Sequence, residues 1–191
     1  MESRVGVAAE LGLRASRLVY DGRIVRLSID TVRFPDGSEG DFEMIRHSGA
    51  AAVLPVKDDP GADDPVIILI RQYRYAAGGY MLEVPAGRPN SPDEEWETCA
   101  RRELREETGL SAERLTPLAA IYTTPGFTDE RIHLFMATGL TPGDRTLDPD
   151  EFVEPVEMPL SQALEHIRSG QISDAKTICT ILYASTFLRG R

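Results

Sequence analysis

Arg102-Glu103-Leu104-Arg105-Glu106-Glu107-Thr108-Gly109-Leu110 places three carboxylates at spacings of three and four residues. On an α-helix those spacings bring Glu103, Glu106 and Glu107 to one side. Like charges so arranged repel, and a helix gains from them only when a cation stands in front. Hard divalent ions such as magnesium take oxygen ligands, and carboxylates supply them. The run predicts a helix that carries a metal site.

The same helix can be followed outward in both directions. Ser91-Pro92-Asp93-Glu94 reads as its start, with Ser91 as cap, Pro92 in the first turn and Glu94 closing a capping box. Gly109 reads as its stop. At about 100° per residue, Trp96, Cys99, Ala100 and Leu104 form an apolar stripe that the three glutamates overlap. Arg101, Arg102 and Arg105 project from roughly the other side. Carboxylates turned toward a core are costly unless paired or bound to metal. The plainer reading is a solvated Glu/Arg helix with pairs such as Arg102 with Glu106; the charges on the Trp96 side favour a site.

The rest of the chain is organised in strands. Leu18 to Tyr20 and Ile24 to Phe34 read as strands around Asp21-Gly22, and Pro35-Asp36-Gly37 as a hairpin turn. Further strands are expected at Phe42 to His47, Ala51 to Val56, Val66 to Tyr73 and Tyr80 to Val84, then Leu115 to Tyr122, Ile132 to Ala137 and Val153 to Met158. Two helices, Leu160 to Ser169 and Asp174 to Leu188, close the order. Residues 1 to 14 are weakly patterned, as a short helix or a loose arm. Strands and helices mix without regular βαβ alternation, so an α+β or layered mixed-sheet fold is expected rather than a doubly wound one.

Composition bounds the function. The 191 residues suffice for one domain, or one domain with a small appendage. With 41% hydrophobic and 27% charged residues, the chain is globular. A net charge of -10 argues against a nucleic-acid surface but not against a phosphate-bearing small substrate, because metal ions reverse local charge. Runs such as Val66 to Ile70 are too short to span a membrane, and Met1-Glu2-Ser3-Arg4 lacks the apolar core of a signal peptide. Cys99 and Cys179 make no disulfide framework and read as buried thiols. No membrane association and a cytoplasmic location are the expectations. His47, His133 and His166 do not cluster, and Trp96 reads as core.

With these residues in hand, Arg102 to Leu110 together with Glu94 and Gly87 resembles the Nudix box, G-x5-E-x7-R-E-U-x-E-E-x-G-U, with U aliphatic. One departure stands out: six residues, not five, separate Gly87 from Glu94. The extra residue falls in the loop before the helix and leaves the helix register intact. The N-terminal segments Val19-Tyr20-Asp21-Gly22-Arg23, Asp30, Pro35-Asp36-Gly37, Glu43 and His47-Ser48-Gly49-Ala50 resemble those of the ADP-ribose pyrophosphatase group. So do Arg71-Gln72-Tyr73-Arg74, Leu82-Glu83-Val84-Pro85-Ala86-Gly87 and Thr124-Pro125-Gly126-Phe127-Thr128-Asp129-Glu130.

The resemblance implies an α+β fold, an α/β/α sandwich with a mixed sheet between helices and an N-terminal antiparallel extension. It implies a dimer-forming segment at 1–46 and a catalytic domain at 47–191. The implied reaction is metal-dependent hydrolysis of the ADP-ribose diphosphate to AMP and ribose 5-phosphate. The cofactor is magnesium, with manganese the alternative. Glu103, Glu106, Glu107 and the Ala86 carbonyl are implied as metal ligands, Arg102 as orienting a ligand glutamate, and Glu151 as general base and further ligand. Glu151 sits in the acidic loop Asp148-Pro149-Asp150-Glu151, where Pro149 replaces a second family glutamate; simple solubility is the other reading of that loop. Substrate contacts are implied for Arg71, Arg74, Glu130 and Tyr20. Another nucleoside diphosphate sugar or an oxidised nucleotide is the near rival, and a non-catalytic ligand-sensing domain the distant one.

Overall fold

The computed structural model describes residues 11–57, 59, 61–146 and 152–187. Two units emerge, one of residues up to Ser48 with Thr124–Glu130, the other of Gly49–Thr123 with the chain from Arg131 onward.

The first unit is a three-stranded antiparallel sheet in the order β1 (Gly12–Asp21), β2 (Arg26–Arg33), β3 (Glu39–Arg46). The hairpin at Pro35-Asp36-Gly37 forms as expected: Gly37 adopts φ 86, and the Phe34 N–H donates to the Ser38 carbonyl across it. Residues 12–14 belong to β1, not to a helix or arm. Asp30 lies buried on β2 and accepts from the Ser16 and Ser28 hydroxyls while pairing with Arg46. Those hydroxyls, with Arg46, outweigh burial and hold its carboxyl below the usual range.

Thr124–Glu130 is fastened to β3. Ile45 N–H donates to the Phe127 carbonyl, His47 N–H to Asp129 Oδ1, and Arg46 to Asp129 Oδ2 at 3.2 Å.

The second unit holds two sheets and three helices. A four-stranded sheet runs β7 (Ala86–Gly87), β4 (Ala50–Pro55), β9 (Arg131–Pro142), β8 (Leu110–Tyr122), with β4 and β9 parallel and the other pairs antiparallel. A three-stranded antiparallel sheet runs β10 (Val153–Pro159), β5 (Val66–Arg74), β6 (Gly79–Glu83). The helices are α1 (Trp96–Thr108), α2 (Leu160–Arg168) and α3 (Ala175–Phe187).

Strand β4 is buried on both faces, which fits its uninterrupted apolar run and its parallel partner. Successive side chains alternate between faces. Ala51 and Val53 of β4, with Phe135 and Ala137 of β9, pack on Cys99, Ala100 and Leu104 of α1. Ala52 and Leu54, with Leu134 and Met136, join a second core with β5, α2 and α3. The sheet is thus covered on both sides and α1 has a fixed floor. This is the mixed-sheet α+β fold the sequence predicts.

Three local expectations need correction. Ser91 does not cap α1: the helix starts at Trp96 after Glu95, and Ser91–Glu94 is a turn closed by Glu94 N–H on the Ser91 carbonyl. Cys179 is exposed, whereas Cys99 is buried. Arg102 does not project away from the glutamates, as described below. Among the described residues, no helix is long and apolar enough to cross a membrane.

Candidate active site

The stripe predicted for α1 is the face it buries. Glu103 and Glu107 go under with Cys99, Ala100 and Leu104, while Glu106 stays half-buried. The helix ends where Gly109 adopts φ 73, a left-handed conformation that glycine takes without strain.

The two buried carboxylates meet the short strand β7. Ala86 N–H donates to Glu107 Oε2 at 3.0 Å. Beside it, a Cβ at Gly87 would run into the Glu103 carboxylate, so any larger residue there requires that carboxylate to shift. The Cys99 thiol faces the Gly87 carbonyl at 3.5 Å. Burial first, with Glu103 and Glu94 adding to it against Arg102, pushes that thiol up to about 11.

Arg102 gathers the rest. Its guanidinium donates to Glu94 at 3.1 Å, to Glu103 at 2.6 Å and to Glu106 at 2.8 Å. It also donates to the Arg88 carbonyl at 2.7 Å. The Arg102–Glu106 pair of the plainer helix reading does form, but as one arm of a cluster around an arginine side chain only 15% exposed. Burial opposes the charge on Arg102, and the surrounding carboxylates outweigh it, so its proton is held more firmly than usual. Glu94 is held below the ordinary carboxylate range, chiefly by the Arg102 hydrogen bond. With Asn90 N–H also on Glu94, Arg102 closes both ends of the loop that carries the extra residue.

The donors suit a hard cation in kind. Two buried carboxylates, one half-buried carboxylate and the backbone of Ala86 and Gly87 offer oxygen only, as magnesium requires. Among the described residues, no three acidic, histidine or cysteine side chains already form a metal cage. Glu103 and Glu106 turn toward Arg102 and Glu107 toward the Ala86 amide.

The remaining expected residues divide between the units. Arg74 lays its donor fork on the buried carboxylate of Glu83, at 2.8 and 2.9 Å. The Arg71 guanidinium lies 4.1 Å over the Tyr80 ring and faces Glu154. Tyr20, 59% exposed, and Glu130, which faces His47 at 3.4 Å, belong to the first unit. Glu151 and its acidic neighbours 148–150 lie outside the described residues. Trp96 is core-packed as expected, stacked on His133 at 4.2 Å.

Sequence reasoning missed the cluster behind β6. Glu83 also pairs with Lys176 of α3, which bonds Asp174 at 3.0 Å. Burial disfavours the Glu83 charge, yet Arg74 and Lys176 together hold its carboxyl below the usual range. The available signal was a lone carboxylate in the apolar run Leu82-Glu83-Val84.

Comparison with known proteins adds independent evidence. Residues 46–180 match the NUDIX domain. The ADP-ribose pyrophosphatase of Bacillus subtilis (strain 168) is 40% identical over 171 residues, covering 88% of this chain and 89% of its own. The methanol dehydrogenase activator of Bacillus methanolicus is 37% identical, covering 86% and 87%. The GDP-mannose pyrophosphatase of Cronobacter sakazakii (strain ATCC BAA-894) is 35% identical, covering 81% and 85%. A solved structure, described as the crystal structure of an ADP compounds hydrolase, superposes with a TM-score of 0.79 at 24% identity and covers 94% of both chains, which speaks for the fold. The matched domain takes in β4, the Gly87 turn and the whole of α1, and on that ground the chain belongs to the Nudix family.

Proposed function

We propose that this protein hydrolyses the diphosphate of ADP-ribose to AMP and ribose 5-phosphate, with magnesium, or else manganese, as cofactor. The observation that carries the metal reading is the burial of Glu103 and Glu107 against the Ala86–Gly87 backbone. The substrate reading leans on the ADP-ribose pyrophosphatase relative.

In this reading Glu103, Glu106, Glu107 and the Ala86 carbonyl hold the ion. A bound divalent cation polarises phosphorus and lowers the pKa of a bound water. Arg102 keeps Glu103 and Glu106 oriented and balances their charge in the free chain. Glu151 takes the proton from the attacking water. Arg74 meets a phosphate through its guanidinium, Glu130 meets the terminal ribose, and Arg71 and Tyr20 are further substrate contacts. Because Arg74 Nε and Nη2 rest on Glu83, the guanidinium plane is fixed before substrate arrives and its remaining N–H groups are the ones left for a phosphate.

The same reading makes 1–46 the segment that forms a homodimer and 47–191 the catalytic domain. Leu13, Leu18, Val19 and Tyr20 on the exposed β1 supply apolar surface for a second copy. A cytoplasmic location accords with the two free thiols.

Initial rates on ADP-ribose, GDP-mannose and an oxidised nucleotide test the substrate. The GDP-mannose pyrophosphatase relative makes that sugar the second reading, and equal or faster turnover of it would displace ADP-ribose. Glu107→Gln keeps the shape of the side chain and removes its charge. Full metal-dependent turnover in that variant would refute Glu107 as a metal ligand, whereas no turnover of any of these substrates by the unaltered chain would favour a ligand-sensing role.

A further inference from the structure

Val84, Pro85, Ala86 and Gly87 form the segment that faces α1, and the backbone of each is tied to a residue of another element. Pro85 carbonyl accepts from Val53 N–H of β4 at 2.9 Å. Ala86 N–H meets Glu107 and the Gly87 carbonyl meets Cys99, both on α1. The first tie comes from far away in sequence: Val84 N–H donates to the Thr177 hydroxyl of α3 at 2.8 Å.

That hydroxyl is itself held. Thr177 Oγ1 donates to Asp174 Oδ2 at 2.6 Å, and the Thr177 N–H donates to the same oxygen at 3.0 Å. Asp174 is therefore the N-cap of α3. Lys176 adds a bond to Asp174 and an ion pair to Glu83, the residue before Val84. Thr177 and Val84 are fully buried, so water cannot replace the threonine if it is lost. A buried hydroxyl that accepts one bond and donates another is held from both sides. It fixes where the Val84 amide sits, and so how the segment leads into Ala86.

We propose that Thr177 and Asp174 are positioning residues for the metal site, holding the Val84–Gly87 segment so that the Ala86 carbonyl and Glu107 reach one ion together. The inference rests on the metal-site reading above and extends it to the head of a helix distant in sequence. Second-layer hydrogen bonds of this kind set metal affinity by orienting the ligands.

The test is manganese binding by the full chain, read as free Mn2+ by electron paramagnetic resonance, with folding followed by circular dichroism. Thr177→Val matches the threonine in shape and removes the hydroxyl. It is expected to weaken Mn2+ binding about tenfold or more, while Thr177→Ser, which keeps the same two bonds, binds Mn2+ more tightly than Thr177→Val and close to the unaltered chain. A folded Thr177→Val chain that binds Mn2+ as tightly as the unaltered one overturns the inference and leaves the metal reading in place. Failure of the unaltered chain to bind Mn2+ removes the metal reading and the inference with it. If Thr177→Val does not fold, Asp174→Ala takes its place, since it leaves the hydroxyl but takes away its acceptor; unchanged affinity there is equally fatal.

Discussion

Replacing Arg102 by methionine tests whether the α1 carboxylates are a buried cluster or a set of surface pairs. Methionine keeps most of the arginine stem and its packing, so the change is largely one of charge. Three carboxylates lose their shared partner. Glu94 and Glu103 have side chains only 11% and 9% exposed, and Glu106 is 32% exposed. An exposed ion pair contributes about 1 kcal/mol at most. Stripping one partner from a buried pair costs about 3–5 kcal/mol, because the remaining charge stays where water cannot reach it. The metal-free variant is therefore expected to lose about 3–5 kcal/mol. Urea unfolding followed by the fluorescence of the single tryptophan, Trp96, measures this directly. Adding magnesium at about a hundredfold above its dissociation constant then returns about 2.7 kcal/mol, since the ion takes up the charge the guanidinium neutralised. A metal-free loss below about 1 kcal/mol would refute the buried-cluster argument.

Gly87→Ala drives a methyl group into the Glu103 carboxylate; a stability loss of about 1–3 kcal/mol and weaker metal binding are expected in urea unfolding and a Mn2+ titration. Unchanged stability and unchanged Mn2+ affinity would show that Glu103 moves aside freely. Asp30 has its carboxyl held below the ordinary value of about 3.9. Its contribution is complete above that pH and is lost as pH falls through the lower folded value, whereas Asp30→Asn has no such dependence. The gap in urea midpoint between the two chains should shrink between about pH 5 and about pH 2, and a constant gap would exclude the charge as its source. Cys99, buried and pushed up to about 11, should resist iodoacetamide at neutral pH while the exposed Cys179 reacts. Mass spectrometry of the labelled peptides decides it.

Much of this arrangement was legible because it follows from periodicity. Cys99, Ala100 and Leu104 at helical spacing predict the buried face of α1, and Glu103 and Glu107 overlap it by the same arithmetic. Gly109 is readable as a stop because few other residues accept its backbone angle. Glu94 was misread for a physical reason. A glutamate three residues after a serine fits a capping box, but Arg102, two turns along the helix, is the stronger partner. The reach of Arg102 was equally hidden, since helical phase locates a Cβ and not the end of a four-bond side chain. Cys179 sits among apolar residues on α3, whose exposed side phase alone does not single out. Thr177 and Lys176 meet Val84 and Glu83 only through the tertiary fold, so no local pattern could have linked them.

The parallel pairing of β4 with β9 has a consequence for the order of events at the ribosome. Ala50 lies opposite Ile132, and the whole of α1 is synthesised between them. When Gly109 leaves the exit tunnel, the helix is complete but half of its platform, Phe135 and Ala137, is still enclosed in the tunnel. Until β9 arrives, the glutamate-bearing helix has little to dock on. Such late, long-range strand pairing is slow, so the nascent chain passes through a window in which its apolar stripe and its acidic residues are both exposed to solvent.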